Sequence, residues 1–331
     1  MNYIGVDIGG TKIATGIVTA DGELIARHER PTPVKSGGQA ILHDAIESAR
    51  EVARTSGVPV AAVGVGAGGQ IDPSTGTVFS ATDVIPGWKG IGITEAFTRE
   101  LGIPSFADND VNVLALAESR FGAARCVKSG TVIFLALGTG VGGALLINGK
   151  LHHGAHFSGG EFGHILLSID ANARMDTGGA RGTLEAYCSG PGLVETWREL
   201  ANSKKESCRF DGRQEKSGRE IVTEARQQPD GVCAMAIKRT GEYLGYGLVS
   251  LANALDPDLI VIGGGLSEIG DALIQPAIYV LREFALPGPS RCTVVPAQLG
   301  KDSAIVGAAC LGMEIRTSAT LNVCVGNMGC I

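Results

Sequence analysis

One pattern occurs twice in this chain, about 130 residues apart: an apolar strand, a glycine turn, a second strand and a hairpin turn. The first copy comprises residues 4–8, Gly9-Gly10-Thr11, residues 13–18 and Asp21-Gly22, and the second comprises residues 133–137, Gly138-Thr139-Gly140, residues 142–147 and Asn148-Gly149. Asp-Gly and Asn-Gly between apolar runs are typical of tight β-hairpins. A repeat of this kind predicts two lobes built from related modules, each presenting one glycine turn to a shared cleft.

Elsewhere, strands alternate with helices. Apolar residues at helical spacing predict helices over residues 39–55, 94–101, 193–200, 232–255, 271–284 and 302–316. A further helix is predicted to begin at residues 108–110. Apolar runs predict strands over residues 60–65, 104–107 and 259–262. Residues 202–217 are polar and predict a surface loop, whereas residues 317–331 show no clear period. The predicted fold class is α/β, with mixed sheets because of the hairpins.

The composition excludes several classes of protein. Among 331 residues, 49 are glycine, roughly twice the usual share, without the three-residue period of collagen. With 44% hydrophobic and 19% charged residues, the chain can bury a large core and is not disordered. A net charge of −6 without a basic cluster argues against nucleic-acid or anionic-membrane partners and favours small molecules.

The chain has the features of a cytoplasmic protein. Its amino terminus lacks a basic region followed by an apolar core, so no secretory signal is predicted. The uncharged stretch between Lys128 and Lys150 is interrupted by glycines and predicts two buried strands instead of a membrane span. Eight scattered cysteines without a Cys-x-x-Cys pair predict reduced thiols and neither a disulfide framework nor a cysteine zinc site.

Three glycine turns each follow an apolar strand: 9–10, 138–140 and Gly263-Gly264-Gly265. Glycine lets backbone N–H groups approach an anion without a Cβ in the way. The Gly-x-x-x-x-Gly-Lys-Ser/Thr motif is absent, and the first two turns lead into a strand, not into the helix of a dinucleotide fold. The pattern therefore predicts a nucleotide held between two hairpin turns.

Asp110 lies where a predicted strand meets a predicted helix. At that position the helix dipole favours an ionised carboxylate, which suits a general base. Asp108 or Asp110 could equally act only as the cap of the helix. The spacing alone leaves both interpretations open.

Four of the six histidines, His152, His153, His156 and His164, lie close together, with Glu161 three residues before the last. Two of the spacings, 153/156 and 161/164, fit one helical turn and are compatible with a metal site. Glycines interrupt the segment, however, so a continuous helical ligand face is not expected. Glu161 and His164 also suit a loop that binds the vicinal hydroxyls of a sugar.

Taken together, these motifs resemble the ROK family of sugar kinases and transcriptional repressors, within the sugar kinase/Hsp70/actin superfamily. The resemblance rests on residues 7–12, 109–110, 137–143, 159–164, 184–187, 262–265 and 306–309, in this order along the chain. It implies a two-lobed actin-like ATPase (ribonuclease H-like) fold with mixed sheets and a central cleft. The implied lobes are residues 1–118 with 302–331, and residues 119–301.

The resemblance further implies that ATP transfers its γ-phosphate to a hexose or N-acylhexosamine, usually at the 6-hydroxyl, as in glucokinases and N-acetylglucosamine or N-acetylmannosamine kinases. By motif, Asp110 would be the catalytic base. The implied sugar ligands are Gly68, Gly69, Asn109, Asp110, Glu161, His164 and Glu185. The implied nucleotide ligands are Asp7 (near Mg²⁺ through water), Gly9, Gly10, Thr11, Lys12, Gly138, Thr139, Gly140, Gly263, Gly264 and Gly265.

One segment departs from the family pattern. Most members carry zinc ligands as Cys-x-Cys-Gly-x-x-Gly-Cys-x-Glu, where this chain has residues 176–185 and no cysteine. With only His164 left of the ligand set, we expect no structural zinc and a loop held by other contacts. The alternative function, also an expectation, is a non-catalytic sugar-binding sensor or regulator of the ROK type without a DNA-binding domain. Family members are commonly dimers or tetramers, so a homo-oligomer is expected.

Overall fold

The computed structural model describes residues 1–81, 85–205 and 215–325; for residues 204–205 and 315–325 it describes the backbone alone. Contacts between Cα atoms divide the chain into two compact units. The first unit comprises residues 1–126, 153–159 and those from 298 onward, and the second comprises residues 127–152 and 160–297. The lobe boundaries implied by the family resemblance, at 118/119 and 301/302, stay a prediction, as does the cleft.

The strands form one mixed five-stranded sheet in each unit, with a two-stranded hairpin added in the first. The first unit contains β1 (Asn2–Ile8), β2 (Lys12–Thr19), β3 (Leu24–Pro31), β4 (Val60–Ala67), β5 (Gln70–Asp72), β6 (Thr77–Ser80) and β7 (Ser105–Asn109). The second contains β8 (Thr131–Leu137), β9 (Val141–Ile147), β10 (Lys150–Leu151), β11 (Leu259–Gly263) and β12 (Thr293–Pro296).

The two sheets share one topology. The orders are β3-β2-β1-β4-β7 and β10-β9-β8-β11-β12. In each sheet the first three strands in sequence pair antiparallel as a meander, the fourth pairs parallel with the first, and the fifth pairs parallel with the fourth. The predicted repeat is therefore confirmed, and its glycine turns are the β1–β2 and β8–β9 connections.

Helices cover the sheets. In chain order they are α1 (Gly38–Ser56), α2 (Ile93–Leu101), α3 (Asp110–Arg120), α4 (Leu184–Cys188), α5 (Gly190–Lys205), α6 (Gly218–Gln227), α7 (Val232–Leu255), α8 (Asp271–Phe284) and α9 (Ser303–Val325). The first unit packs α1 and α9 against its sheet, and α3 packs against α9. In the second unit, α7 packs against its neighbours α5, α6 and α8 and contributes buried Leu244 and Leu248 to the same core as Ile133 and Leu135 of β8.

Helix α9 lies close to the backbone of β1 and β4, and this approach uses several of the glycines. A Cβ atom on Gly5 would lie 1.9 Å from the carbonyl oxygen of Ile305, and one on Gly64 would lie 1.7 Å from that of Ala308. Because strand side chains alternate, the neighbouring Ile4 and Val63 face the opposite, α1-side core. Part of the glycine excess therefore serves helix–sheet packing instead of ligand binding.

Glu118, buried near the end of α3, ties two distant chain segments together within the first unit. Its carboxylate accepts hydrogen bonds from the backbone N–H groups of Ala123 at 2.7 Å and of Gln298 and Leu299 at 2.9 Å each. These segments adjoin the points where the chain leaves the first unit and returns to it. Three N–H donors offset the cost of burying the charge.

The structure corrects several details of the sequence analysis. The expected loop over residues 202–217 is wrong at its start, because α5 continues to Lys205; residues 206–214 lie outside the described part. Residues 317–325, which showed no period, continue α9, and 326–331 lie outside the described part. Helix α6, the β5–β6 hairpin and β12 were not predicted.

The uncharged stretch between Lys128 and Lys150 forms β8 and β9 as predicted. No helix of the described residues is long and apolar enough to cross a membrane.

Candidate active site

Asp110 is the first residue of α3, directly after β7. The helix is capped by Asn109, whose side-chain oxygen accepts from the backbone N–H groups of Val111 at 2.8 Å and Asn112 at 3.2 Å. The Asn109 side-chain NH₂ donates to the carbonyl of Gly69 at 2.9 Å. Neither Asp108 nor Asp110 is the cap, so that alternative for the two aspartates is wrong.

The pKa of the Asp110 carboxyl is raised, mainly because burial disfavours the charged form. Hydrogen bonds act in the opposite direction, chiefly from the Val111 N–H, which lies 2.9 Å from Asp110 Oδ1. The sequence suggested that the helix terminus would favour the ionised form, whereas desolvation outweighs that effect here. A carboxylate with a raised pKa is a stronger proton acceptor, as a general base requires.

Asp7 lies at the end of β1 and interacts with Asp110 through charge. Burial and the nearby Asp110 carboxylate raise the pKa of Asp7 to about 6, while Lys12 partly offsets the rise. A bound cation would stabilise two buried carboxylates that otherwise repel each other. Mg²⁺ commonly takes one or two carboxylates plus substrate phosphates, so Asp7 fits as a residue that would hold it, beside the Asp110 carboxylate.

The first glycine turn closes between β1 and β2. The Gly9 N–H donates to the carbonyl of Lys12 at 3.1 Å, and the Thr32 hydroxyl donates to the carbonyl of Gly9 at 2.6 Å. Gly10 and Thr11 are exposed at its tip, and the Lys12 ammonium forms an ion pair with Glu29 on β3. The tip is therefore open to a ligand, while its base is fixed.

Gly68 and Gly69 follow β4 and lie beside Asn109, the residue before Asp110. The Trp88 indole N–H donates to the carbonyl of Gly68 at 2.9 Å, and Gly69 has φ +103°, a conformation that favours glycine. The hydrogen bond from the Asn109 side-chain NH₂ to the Gly69 carbonyl brings these two residues into direct contact.

Sequence reasoning did not foresee the roles of Asp108 and His153. The buried Asp108 carboxylate accepts from the Asn112 side-chain amide at 2.8 Å and lies 2.7 Å from His153 Nε2. This hydrogen bond raises the pKa of His153. His152 and His156 are exposed, and the described residues hold no group of three or more His, Cys, Asp or Glu that could bind a metal ion.

In the second unit, one cavity of about 830 Å³ brings together two of the glycine turns. Gly138 and Thr139 from the β8–β9 turn and Gly265 from the turn after β11 line it. The lining also includes residues that the sequence analysis missed: Pro191, Arg219, Arg226, Leu266, Glu268 and Ile269. A cavity that joins apolar side chains and two arginines beside a glycine turn suits a nucleoside joined to phosphates.

The turn after β11 requires glycine for steric reasons. Gly264 has φ +85°, and a Cβ atom there would lie 2.4 Å from the carbonyl oxygen of Leu137. Gly263 is the last residue of β11 and is buried against Phe134. Of the three glycines, Gly265 lines the cavity.

Glu185, on α4, binds the backbone of the second glycine turn. Its Oε2 accepts from the Val141 N–H at 2.9 Å, and its Oε1 accepts from the Thr177 hydroxyl at 2.5 Å. A Cβ atom on Gly140 would lie 2.5 Å from Oε2. The absence of a side chain at Gly140 therefore permits the position of Glu185.

His164 and Glu161 lie at the two ends of a short 3₁₀ helix in the second unit. Glu161 precedes that helix, which covers residues 162–164, and both side chains are exposed. His164 Nδ1 lies 3.8 Å from Asp176 Oδ2. An exposed carboxylate and imidazole can both form hydrogen bonds with sugar hydroxyls.

The profile of the ROK family matches residues 3–315 of this chain. The chain belongs to the ROK family. It is 35% identical to a glucokinase of Streptomyces coelicolor, covering 94% of this chain and 97% of that protein. It is 32% identical to an N-acetyl-D-glucosamine kinase of Yersinia enterocolitica, over 94% and 99% of the two chains.

Among solved structures, this ROK chain resembles a ROK family glucokinase from Streptomyces griseus in complex with glucose and AMPPNP. The TM-score is 0.78 at 33% identity, covering 95% of this chain and 100% of that one. The predicted two-lobed α/β fold and the assignment to the ROK sugar kinases are thereby confirmed. The roles of individual site residues stay predictions.

Proposed function

We propose that this ROK protein is an ATP-dependent hexokinase that phosphorylates the 6-hydroxyl of glucose, with Asp110 as the general base. The observation that carries the proposal is the placement of Asp110 at the start of α3, with a raised pKa, beside Asn109 and within electrostatic reach of Asp7. The glucokinase relatives support glucose as the preferred hexose.

The reaction transfers one phosphoryl group. As the 6-oxygen of the sugar forms its bond to the γ-phosphorus, the bond from that phosphorus to the β–γ bridging oxygen of ATP breaks and ADP leaves. The hydroxyl proton passes to the Asp110 carboxylate. A base with a raised pKa takes this proton more readily than an ordinary exposed aspartate.

The remaining residues bind and orient. Asn109, Glu161, His164 and Glu185 would hold sugar hydroxyls, with Gly68 and Gly69 near the sugar. The turns at 9–12 and 138–140 would direct N–H groups to the phosphates, and the turn at 263–265 would border the adenosine. Asp7 would hold Mg²⁺ through water, and the metal would offset phosphate charge.

A coupled assay of ADP release tests the proposal, with glucose, mannose, fructose, N-acetylglucosamine and N-acetylmannosamine as acceptors. We expect the highest kcat/KM with glucose. Preferred turnover of an N-acetylated sugar would overturn the choice of glucose, and binding without turnover of any sugar would favour a sensor. Homo-oligomer formation and a cytoplasmic location stay predictions.

A further inference from the structure

Asp176 is the centre of a hydrogen-bonded loop in the second unit. Its side chain is fully buried. Oδ1 accepts from the backbone N–H groups of Gly178 at 3.0 Å and Ala180 at 2.8 Å, and Oδ2 accepts from the Thr183 hydroxyl at 2.8 Å. A buried carboxylate with three donors fixes the loop around it.

The residues of this loop do not fit the zinc that the family pattern implies. The three cysteine positions of the pattern hold Asp176, Gly178 and Thr183. Gly178 has no side chain to offer, and the Thr183 hydroxyl is already bonded to Asp176. Zinc in structural sites needs four nitrogen, sulfur or oxygen ligands, and only His164 and Asp176 of this set could serve.

Two connections lead from Asp176 to Glu185. Thr177, the next residue, donates its hydroxyl to Glu185 Oε1 at 2.5 Å and its N–H to the same atom at 3.3 Å. Thr183, bonded to Asp176, caps α4 by accepting from the Ala186 N–H at 3.3 Å. Glu185 lies on α4. The loop therefore positions both the helix that carries Glu185, through Thr183, and the Glu185 carboxylate itself, through Thr177.

A third connection leads to His164. Asp176 Oδ2 lies 3.8 Å from His164 Nδ1. The Asp176 carboxylate therefore lies beside the imidazole of His164 without a direct hydrogen bond to it. The exposed ring of His164 keeps nitrogen atoms that can form a hydrogen bond with a sugar hydroxyl.

We propose that Asp176 is a positioning residue for sugar binding: its carboxylate organises a metal-free loop that holds Glu185 and lies beside His164. The proposal rests on the proposed function.

Arg174 secures the start of the loop, since its guanidinium pairs with Glu199 at 2.6 Å and lies 4.8 Å from the ring centre of Tyr187. The loop therefore needs no metal to keep its shape.

Three variants test the role of Asp176. Asp176→Asn can keep the bonds from Gly178 and Ala180 but loses the charge and one acceptor oxygen, whereas Asp176→Ala loses all three bonds. Asp170→Asn is the matched control, because Asp170 is an exposed aspartate of the same loop that accepts one bond, from the Asn172 N–H. Glucose binding is measured by calorimetry, and KM for glucose and for ATP by the coupled assay.

We expect Asp176→Asn to fold and to bind glucose about tenfold more weakly, the effect of losing one charge-assisted hydrogen bond, with KM for ATP changed less than about twofold. Asp176→Ala should show a larger loss, and Asp170→Asn none. A folded Asp176→Asn and a folded Asp176→Ala that both bind glucose like the unaltered protein would overturn the proposal. Equal losses in glucose and ATP affinity would also overturn it, because they indicate general disruption. If the unaltered protein binds glucose without turnover, the proposed kinase function fails while this test still stands.

Elemental analysis tests the metal-free nature of the loop separately from activity. We expect less than one tenth of a zinc ion per chain, roughly the background of a protein with no site, and glucose affinity unchanged by EDTA. One zinc per chain, or loss of glucose binding with EDTA, would contradict the proposal. As a positive control, the triple variant Asp176→Cys, Gly178→Cys and Thr183→Cys restores the family pattern. A Cβ at Gly178 would meet its nearest atom at 3.5 Å, so a side chain fits there, and the folded variant should gain one zinc.

Discussion

His153 Nε2 lies 2.7 Å from a carboxylate oxygen of Asp108, two residues before the proposed base, although 45 residues separate the two in the chain. The contact connects the segment 153–159, which belongs to the first unit, to the start of α3. Because Asp108 is buried and also accepts from Asn112, this pair restrains the backbone that carries Asn109 and Asp110.

The Asp108–His153 pair predicts a dependence of stability on pH. The hydrogen bond to Asp108 raises the pKa of folded His153 above its unfolded value of about 6.5. The stabilisation is therefore complete below about pH 6.5 and is lost as the pH rises through the folded pKa. Melting temperatures of the unaltered protein and His153→Gln, measured from about pH 5.5 to 8.5, should differ most at the acidic end. A difference independent of pH would contradict this interpretation.

Asp110→Asn tests the proposed base. The amide oxygen can still accept from the Val111 N–H, so α3 should start at the same residue and the fold should persist. We expect kcat to fall by about 10²–10⁴, the usual contribution of general base catalysis, with glucose and ATP affinities nearly unchanged. A variant that retains most of kcat would remove Asp110 from this role.

Asp7→Asn should stabilise the protein while reducing its activity. The folded pKa of about 6 exceeds the ordinary value of 3.8, so ionisation of Asp7 opposes folding as the pH rises between these values. At pH 7 the substitution should increase the free energy of unfolding by about 1–3 kcal/mol, and below about pH 4 it should have little effect. Denaturant titrations at both pH values measure this. Activity at saturating Mg²⁺ should fall at least about tenfold if Asp7 holds the metal.

Gly140→Ala should displace Glu185, because the new Cβ would lie 2.5 Å from Oε2, an oxygen already bound to the Val141 N–H. We expect KM for glucose to rise about tenfold, through the lost Val141 contact. Gly288→Ala is the control, since Gly288 is exposed, has φ −71° and has no atom within 4 Å of the Cβ position. Equal KM values for glucose in the two variants would show that the position of Glu185 does not depend on Gly140.

Gly64→Ala should destabilise the first unit, because its Cβ would lie 1.7 Å from the carbonyl oxygen of Ala308 on α9. Overpacking of this kind costs about 1–3 kcal/mol or more, since α9 would have to move away from β4. Gly288→Ala, with φ −71° and no atom within 4 Å of the Cβ position, should change stability little. Urea denaturation of both variants gives the comparison.

The sequence alone determined the repeated module and most of the regular elements. Apolar alternation and Asp-Gly or Asn-Gly turns are local signals, so β1–β3 and β8–β10 could be predicted from neighbouring residues. Helix α7 and strand β11 follow equally from local periodicity. The family motifs identify Asp110, Glu185 and the glycine turns as candidate site residues, because each motif is a contiguous stretch of sequence.

Only the tertiary structure decided the partners of those residues. The contacts of Asp108 with His153, of Glu185 with Val141 and Thr177, and of Asp176 with His164 join residues 8 to 45 positions apart, and no periodicity encodes such pairs. Burial likewise depends on the folded surroundings, which is why Asp110 has a raised pKa at a helix start that would by itself lower it. The sequence specified which groups are candidates for the site, whereas the fold set their hydrogen bonds and raised the pKa of Asp7 and Asp110.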